Sequence, residues 1–220
     1  MAVTRRRGSR SPQGGWRDLS KAGDRSTAPH VTGAATDRAD AVDRTAEPCR
    51  GSRVVHTIGH STRTSEAFLT LLEAHAVECV VDVRRWPTSQ RFPHFRREAL
   101  MERLALQGVA YVWRQDLGGY RKPAADSLNT AWRTGSFRAY SDFMLTPVFG
   151  TAMEELVQLA DLRRIAVMCA EAVPWRCHRQ LLADACTVRA YTVRHILDSG
   201  CEAHHLPPFA RPDGIRIMYP

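Results

Sequence analysis

Residues 168–179, MCAEAVPWRCHR, gather two cysteines, a glutamate, a histidine and two arginines within twelve positions. Three chemistries use such a set. As metal ligands, Cys169, Cys177 and His178, with His60 as a fourth, have the donor types that zinc takes. Against this, neighbouring residues at a helix start point about 100° apart, and the compact C-x-x-C and H-x-x-H spacings of structural zinc are missing. As a nucleophile, a cysteine near a helix N-terminus and arginines has its pKa lowered. Six residues separate Cys169 from Arg176, one more than the cysteine phosphatase loop allows, and none of them is glycine. A phosphatase or rhodanese therefore fits poorly, and thiol chemistry of another kind stays open. As an anion cradle the segment does better. A helix opening at Pro174 offers free N–H groups, Arg176 and Arg179 add fork-shaped donors, and Arg84 completes a clamp.

Reactive residue types also end other apolar runs. Gly59-His60-Ser61 closes one, Asp82-Val83-Arg84 a second, Leu117-Gly118-Gly119 a third and Cys169-Ala170-Glu171 a fourth. Asp82 and Glu171 make a candidate carboxylate pair. Burial beside a like charge raises one pKa and a neighbouring arginine lowers the other, which separates acid from base. Hydrolysis of a glycosidic or N-glycosidic bond uses such a pair, with His60 or His178 as alternative proton carriers. The plain alternative is a lattice of Asp–Arg and Glu–Arg pairs that pins loops.

The elements that must position these residues follow from hydrophobic pattern. Residues 54–61, 79–87, 110–119, 164–171 and 191–197 read as strands, several too apolar for one-sided burial. Helices are expected from Ser65 as cap, over 95–109 with Gly108 as stop, over 136–145, from Pro147, and over 174–190. Residues 120–135 read as an irregular insertion, and the tail from Ser199 as irregular, with RIMY adding an edge strand. His195 reads as a core histidine and His204-His205 as solvated. Alternating strands and helices predict an α/β fold, a mostly parallel sheet of about five strands covered by helices. Ligands then bind beyond the carboxyl ends of the strands, where the reactive types collect.

The chain has 220 residues and a formal net charge of +8, from 31 Lys/Arg against 23 Asp/Glu. Residues 1–52 hold ten Lys/Arg against six Asp/Glu and few large aliphatics. Such a stretch buries too little to offset its ordering entropy, so a disordered basic extension is expected, followed by one domain over 53–220. The rest is only mildly basic, so charge alone points weakly to an anionic partner. The six cysteines form no regular framework and read as reduced thiols. No apolar core follows the N-terminal arginines, so no secretory signal is read and the cytoplasm is the expected location, with no membrane partner. G-x-G-x-x-G, Walker and H-E-x-x-H motifs are absent.

TIGHST, VVDVRRWPTSQRFPHF, the DLGG turn, FRAYSDFM and MCAEAVPWRCHRQLLADA together resemble the bacterial and archaeal family called domain of unknown function 488. The resemblance spans residues 54–197 and implies an α/β domain but no reaction. The expectation from the residues is a hydrolase-type acid/base enzyme acting on a small anionic or nucleotide-like substrate. His60, Asp82, Glu171 and His178 handle protons, with Cys169 and Cys177 shaping the pocket or reacting. Ser61, Arg84, Gly118, Gly119, Arg176 and Arg179 hold the anion, and no cofactor is expected. The alternatives are a non-enzymatic module binding nucleic acid or phosphate, and a zinc-binding domain.

Overall fold

The computed structural model describes residues 53–220; the extension expected over 1–52 lies outside them. The strands are β1 (Val54–Gly59), β2 (Cys79–Asp82), β3 (Ala110–Trp113), β4 (Ile165–Cys169), β5 (Thr192–Leu197) and β6 (Gly200–Ala203). They form one sheet in the order β3-β2-β4-β1-β5-β6. The first five are parallel and β6 is an antiparallel edge. β2 and β4 are buried at every position, because helices cover both faces and Val, Ile and Met suit a pleated surface packed on each side.

One face carries α1 (Ser65–Ala74) and α2 (Arg97–Ala105), which bury Phe68, Leu72, Leu100 and Leu104 against Ile58, Val80, Ala166 and Met168. The other carries α3 (Gly135–Met144), α4 (Pro147–Leu162) and α5 (Arg179–Thr187), packed on Val55, Val81, Val83, Val167 and Cys169. Alternation along the strands assigns each side chain its face. α1 is capped by Thr64, one residue before the expected Ser65, through its hydroxyl to the Ala67 N–H at 3.2 Å. α4 opens with Pro147 behind a Thr146 cap, as proline at the first helical position favours. Gly108, at φ +70°, ends the turn after α2, a conformation that costs glycine little.

Three expectations are corrected. Residues 174–190 are not one helix: Pro174–Arg176 form a single 3₁₀ turn, Cys177 is extended, and α5 starts at Arg179. RIMY does not join the main sheet, because β8 (Arg216–Met218) pairs with β7 (Arg211–Asp213) in a separate ribbon. The tail is not irregular throughout, since the hairpin turn at Gly200, φ +133°, leads into β6.

That tail is held by a buried polar chain. Asp184 on α5 accepts from Tyr219 Oη at 2.7 Å and pairs with His204 Nε2 at 2.7 Å. His204 Nδ1 lies 3.0 Å from His195 Nε2, and His195 Nδ1 lies 2.7 Å from Thr57 Oγ1. His204 is thus enclosed rather than solvated, its side chain 2% exposed, while His195 is the hydrogen-bonded core histidine expected. Among the described residues no helix is long and apolar enough to cross a membrane.

Candidate functional site: a thiol pair at the switch point of the sheet

β1 and β4 are neighbours at the centre of the sheet, yet their crossovers leave in opposite directions. α1 carries the chain from β1 past β4 to β2, and α5 carries it from β4 past β1 to β5. In open parallel sheets ligands bind at the carboxyl ends of the strands where such a reversal occurs. Backbone bonds tie the two strand ends together there: His60 N–H donates to Cys169 O at 2.9 Å and Ser61 N–H to Ala170 O at 3.0 Å. Gly59 is required there, because a Cβ would overlap the Glu171 carbonyl and lie 2.8 Å from Arg179 Nη2.

The residues singled out from the sequence separate into two groups on opposite faces. On the α1/α2 face, Asp82 is fully buried. Arg84 Nε lies 2.9 and 3.1 Å from its two oxygens, and Arg84 Nη2 is 2.5 Å from Oδ2. Tyr111 Oη donates to Oδ2 at 2.6 Å. Arg84 Nη1 donates to Phe95 O at 2.8 Å and faces His60 Nε2 at 3.3 Å. His60 stacks on Phe95, with centroids 4.3 Å apart, and its Nδ1 bonds Ser61 O at 3.0 Å. Burial, then the Arg84 charge, lowers the His60 pKa to about 4, so this ring is neutral with both nitrogens engaged. Four of the five Arg84 N–H donors are thus engaged within the protein.

The Asp82–Glu171 pair does not form. Asp82 is saturated on the α1/α2 face, whereas Glu171 is exposed at the end of β4 and contributes its main-chain carbonyl. The three-arginine clamp does not assemble either, since Arg84 is spent on Asp82 and Arg176 is exposed. His60 also lies across the sheet from the cysteines, which dissolves the Cys169–Cys177–His178–His60 zinc set.

The second group lies on the α5 face. Cys169 and Cys177, 2% and 5% exposed, bring their sulfurs to 2.7 Å. Arg179 is fully buried, with Nε 3.1 Å from Cys169 Sγ and its N–H 3.4 Å from Cys177 Sγ. Arg179 Nη2 donates to Glu171 O at 2.5 Å and Ala172 O at 3.3 Å, and Nη1 is buried without a partner. No carboxylate pairs with this guanidinium among the described residues. An uncompensated buried cation costs several kcal/mol, and the groups at hand able to carry negative charge are the two thiols.

Burial alone would raise the Cys177 pKa. Hydrogen bonding from Cys169, followed by the charge and N–H of Arg179, outweighs it and brings the thiol down to about 7. Burial and the neighbouring sulfur push Cys169 well above its ordinary value. The pair therefore gives up its first proton near neutrality and keeps the second, as coupled sites do. The extended conformation of Cys177 produces this geometry: it turns the sulfur back over the first turn of α5, whose dipole favours an anion.

His178 adds a proton acceptor. Its Nε2 lies 3.2 Å from Val83 O, so that nitrogen carries the hydrogen and Nδ1 presents a lone pair 3.6 Å from Cys177 Sγ. Burial lowers the pKa of this ring. Gly119 backs it, since a Cβ there would come within 3.3 Å of Nδ1, and Gly118 packs on Arg85. Ser61, φ +47°, and Tyr120, φ +61°, hold the left-handed conformation on these loops, a strain that gathers at working sites.

A family model described as Domain of unknown function DUF488 matches residues 64–186. The chain belongs to the DUF488 family. No curated protein and no solved structure matches this DUF488 chain.

Sequence reading missed two neighbours of the DUF488 thiol pair, and Tyr111, the partner of Asp82 on the opposite face. Tyr140 donates to Leu117 O at 2.7 Å and packs on His178 at 5.2 Å. Arg121 donates to Gly118 O at 3.2 Å and Asp116 O at 2.7 Å. Tyr111 was an ordinary strand aromatic. Tyr140 sits in an amphipathic run that reads as core, and Arg121 in an insertion without pattern. The FRAYSDFM motif was the available signal for Tyr140.

Proposed function

We propose that this chain is a thiol-dependent enzyme acting on a small, planar, anionic substrate, with Cys177 as nucleophile. The observation that carries this reading is Arg179, a fully buried guanidinium without a carboxylate partner, set against two cysteine sulfurs. Its charge favours a thiolate at Cys177, and its unpartnered Nη1 supports a role in holding a substrate oxygen. His178 Nδ1 is within reach as the proton acceptor for the pair. The Cys177 sulfur would bond to an electrophilic carbon while the leaving group departs with its electron pair, and water would then regenerate the thiolate. Trp86, Tyr120 and Trp175, on the loops after β2, β3 and β4, are all more than half exposed. Aromatic faces at this edge favour a planar, nucleotide-like substrate.

The test compares two alkylating probes on the full chain, with modification mapped residue by residue. Free thiols react more slowly with iodoacetate than with iodoacetamide. At Cys177 the anionic reagent is expected to react faster than the neutral one, and excess inorganic phosphate should slow it. A preference equal to that of a free thiol would contradict the reading.

The 2.7 Å sulfur separation favours a second reading, a redox pair. Cys177 would attack a small disulfide, releasing one thiol, and Cys169 would displace the other to close a protein disulfide. A Cys169–Cys177 crosslink recovered after treatment with oxidised glutathione would select that reading.

A further inference from the structure

We propose a zinc site at His56, His75 and Cys201, on the α1/α2 face and separate from the thiol pair. The three residues come from β1, the end of α1 and the edge strand β6. Their ligand atoms all lie within 4.8 Å of one another. Donor atoms around tetrahedral zinc stand about 3.4–3.6 Å apart, from bond lengths of about 2.0–2.3 Å. The cluster therefore needs a closure of about an ångström, which rotamer adjustment of His75 and Cys201 supplies. Both are part-exposed, with Cys201 at the margin of the α1/α2 core.

An independent observation marks the same place. His56 is 7% exposed, and its Nδ1 is buried with no hydrogen-bond partner. Buried polar atoms are almost always satisfied, and an exception calls for a missing water or ion. The His56 and His75 rings lie 5.7 Å apart at 39°, open to a shared ligand rather than stacked.

Sheet register explains the convergence. His56 of β1 lies beside Arg194 of β5, and Cys201 of β6 lies opposite Ile196 of β5, so His56 and Cys201 take one face of the sheet on either side of β5. His75 arrives from above as the C-cap of α1, just before Ala76 turns the chain at φ +47°. Two imidazoles and a thiolate suit zinc and exclude the hard cations, which take oxygen ligands. Three protein ligands leave a fourth position for water. Arg164 and Arg194 are close enough to His56 to repel a cation, so the Cys201 thiolate is indispensable. His75 lies within the residues matched by the family model, and His56 and Cys201 lie outside them.

The experiment titrates cobalt, then zinc, into the full chain under a phosphine reductant. One equivalent of cobalt should give tetrahedral bands with a thiolate charge-transfer component, and zinc should bleach them. Cys201→Ser should remove the charge-transfer component and weaken zinc binding at least about tenfold. His75→Ala should weaken it similarly while circular dichroism stays unchanged. Cys177→Ser should leave the bands intact. A chain that takes up no cobalt, or bands that survive Cys201→Ser, would overturn the site.

Discussion

Replacing Arg179 with methionine tests the origin of the thiolate. The substitution keeps an unbranched stem in a fully buried position and removes the charge that lies 3.1 Å from Cys169 Sγ. With its pKa near 7, Cys177 is about half ionised at neutral pH. Without the guanidinium, burial dominates and the value returns at least to the ordinary 9. At pH 7 the thiolate then falls to about 1%, so alkylation of Cys177 slows about fifty-fold, equivalent to about 2–3 kcal/mol. The variant also leaves the Glu171 and Ala172 carbonyls without the donor they share, costing about 2–3 kcal/mol of stability. Rates are therefore compared at equal folded fraction, judged by circular dichroism. Arg179→Lys keeps the charge but not the fork, and should recover part of the reactivity. A folded methionine variant whose alkylation still turns on near pH 7 would refute the assignment of Arg179 as counter-ion.

Other expectations follow from the same geometry. Gly59→Ala places a methyl group into the Glu171 carbonyl and should destabilise by about 3 kcal/mol or more, read from urea unfolding; an unchanged midpoint would contradict the close approach. Asp82→Asn leaves Arg84 buried without its counter-ion and should cost about 3–5 kcal/mol, yet leave the pH midpoint of Cys177 alkylation in place; a shifted midpoint would show that the two faces communicate. The folded Cys177 pKa is depressed below the unfolded value, so its contribution is complete above about pH 9 and is lost as pH falls through about 7. Stability should rise by up to about 2–3 kcal/mol between those limits, relative to Cys177→Ser; a flat difference would exclude a depressed pKa.

The fold was legible wherever period and burial agreed. β4 and the first three residues of β2 are unbroken apolar runs, and Gly108 and Pro147 mark a stop and a start that the structure keeps. The carboxyl edge of the sheet was likewise readable, because four apolar runs end in reactive types. Which face each residue takes was not. Asp82 and Cys169 both end strands of one sheet, but their positions in the two-residue alternation are opposite, and pairing register lies outside any single strand's sequence. The break at Cys177 was hidden because Pro174 and the apolar spacing after it suit a continuous helix. Only the contact with Cys169, eight residues back and across the strand end, makes the extended conformation worthwhile. β6 and β7 are mostly exposed and lack alternation, so no apolar signal announced them. The enclosure of His204 depends on Asp184 and Tyr219, both distant in sequence.

The central claim is that Cys177 is about half ionised near neutral pH because the Cys169 thiol and the buried Arg179 hold its thiolate. Ultraviolet thiolate absorbance, followed from about pH 5 to about pH 10 as the difference between the chain and its Cys177→Ser variant, measures that charge directly. The account predicts about half a thiolate per chain near pH 7. A difference spectrum that stays silent until pH approaches 9 would contradict it.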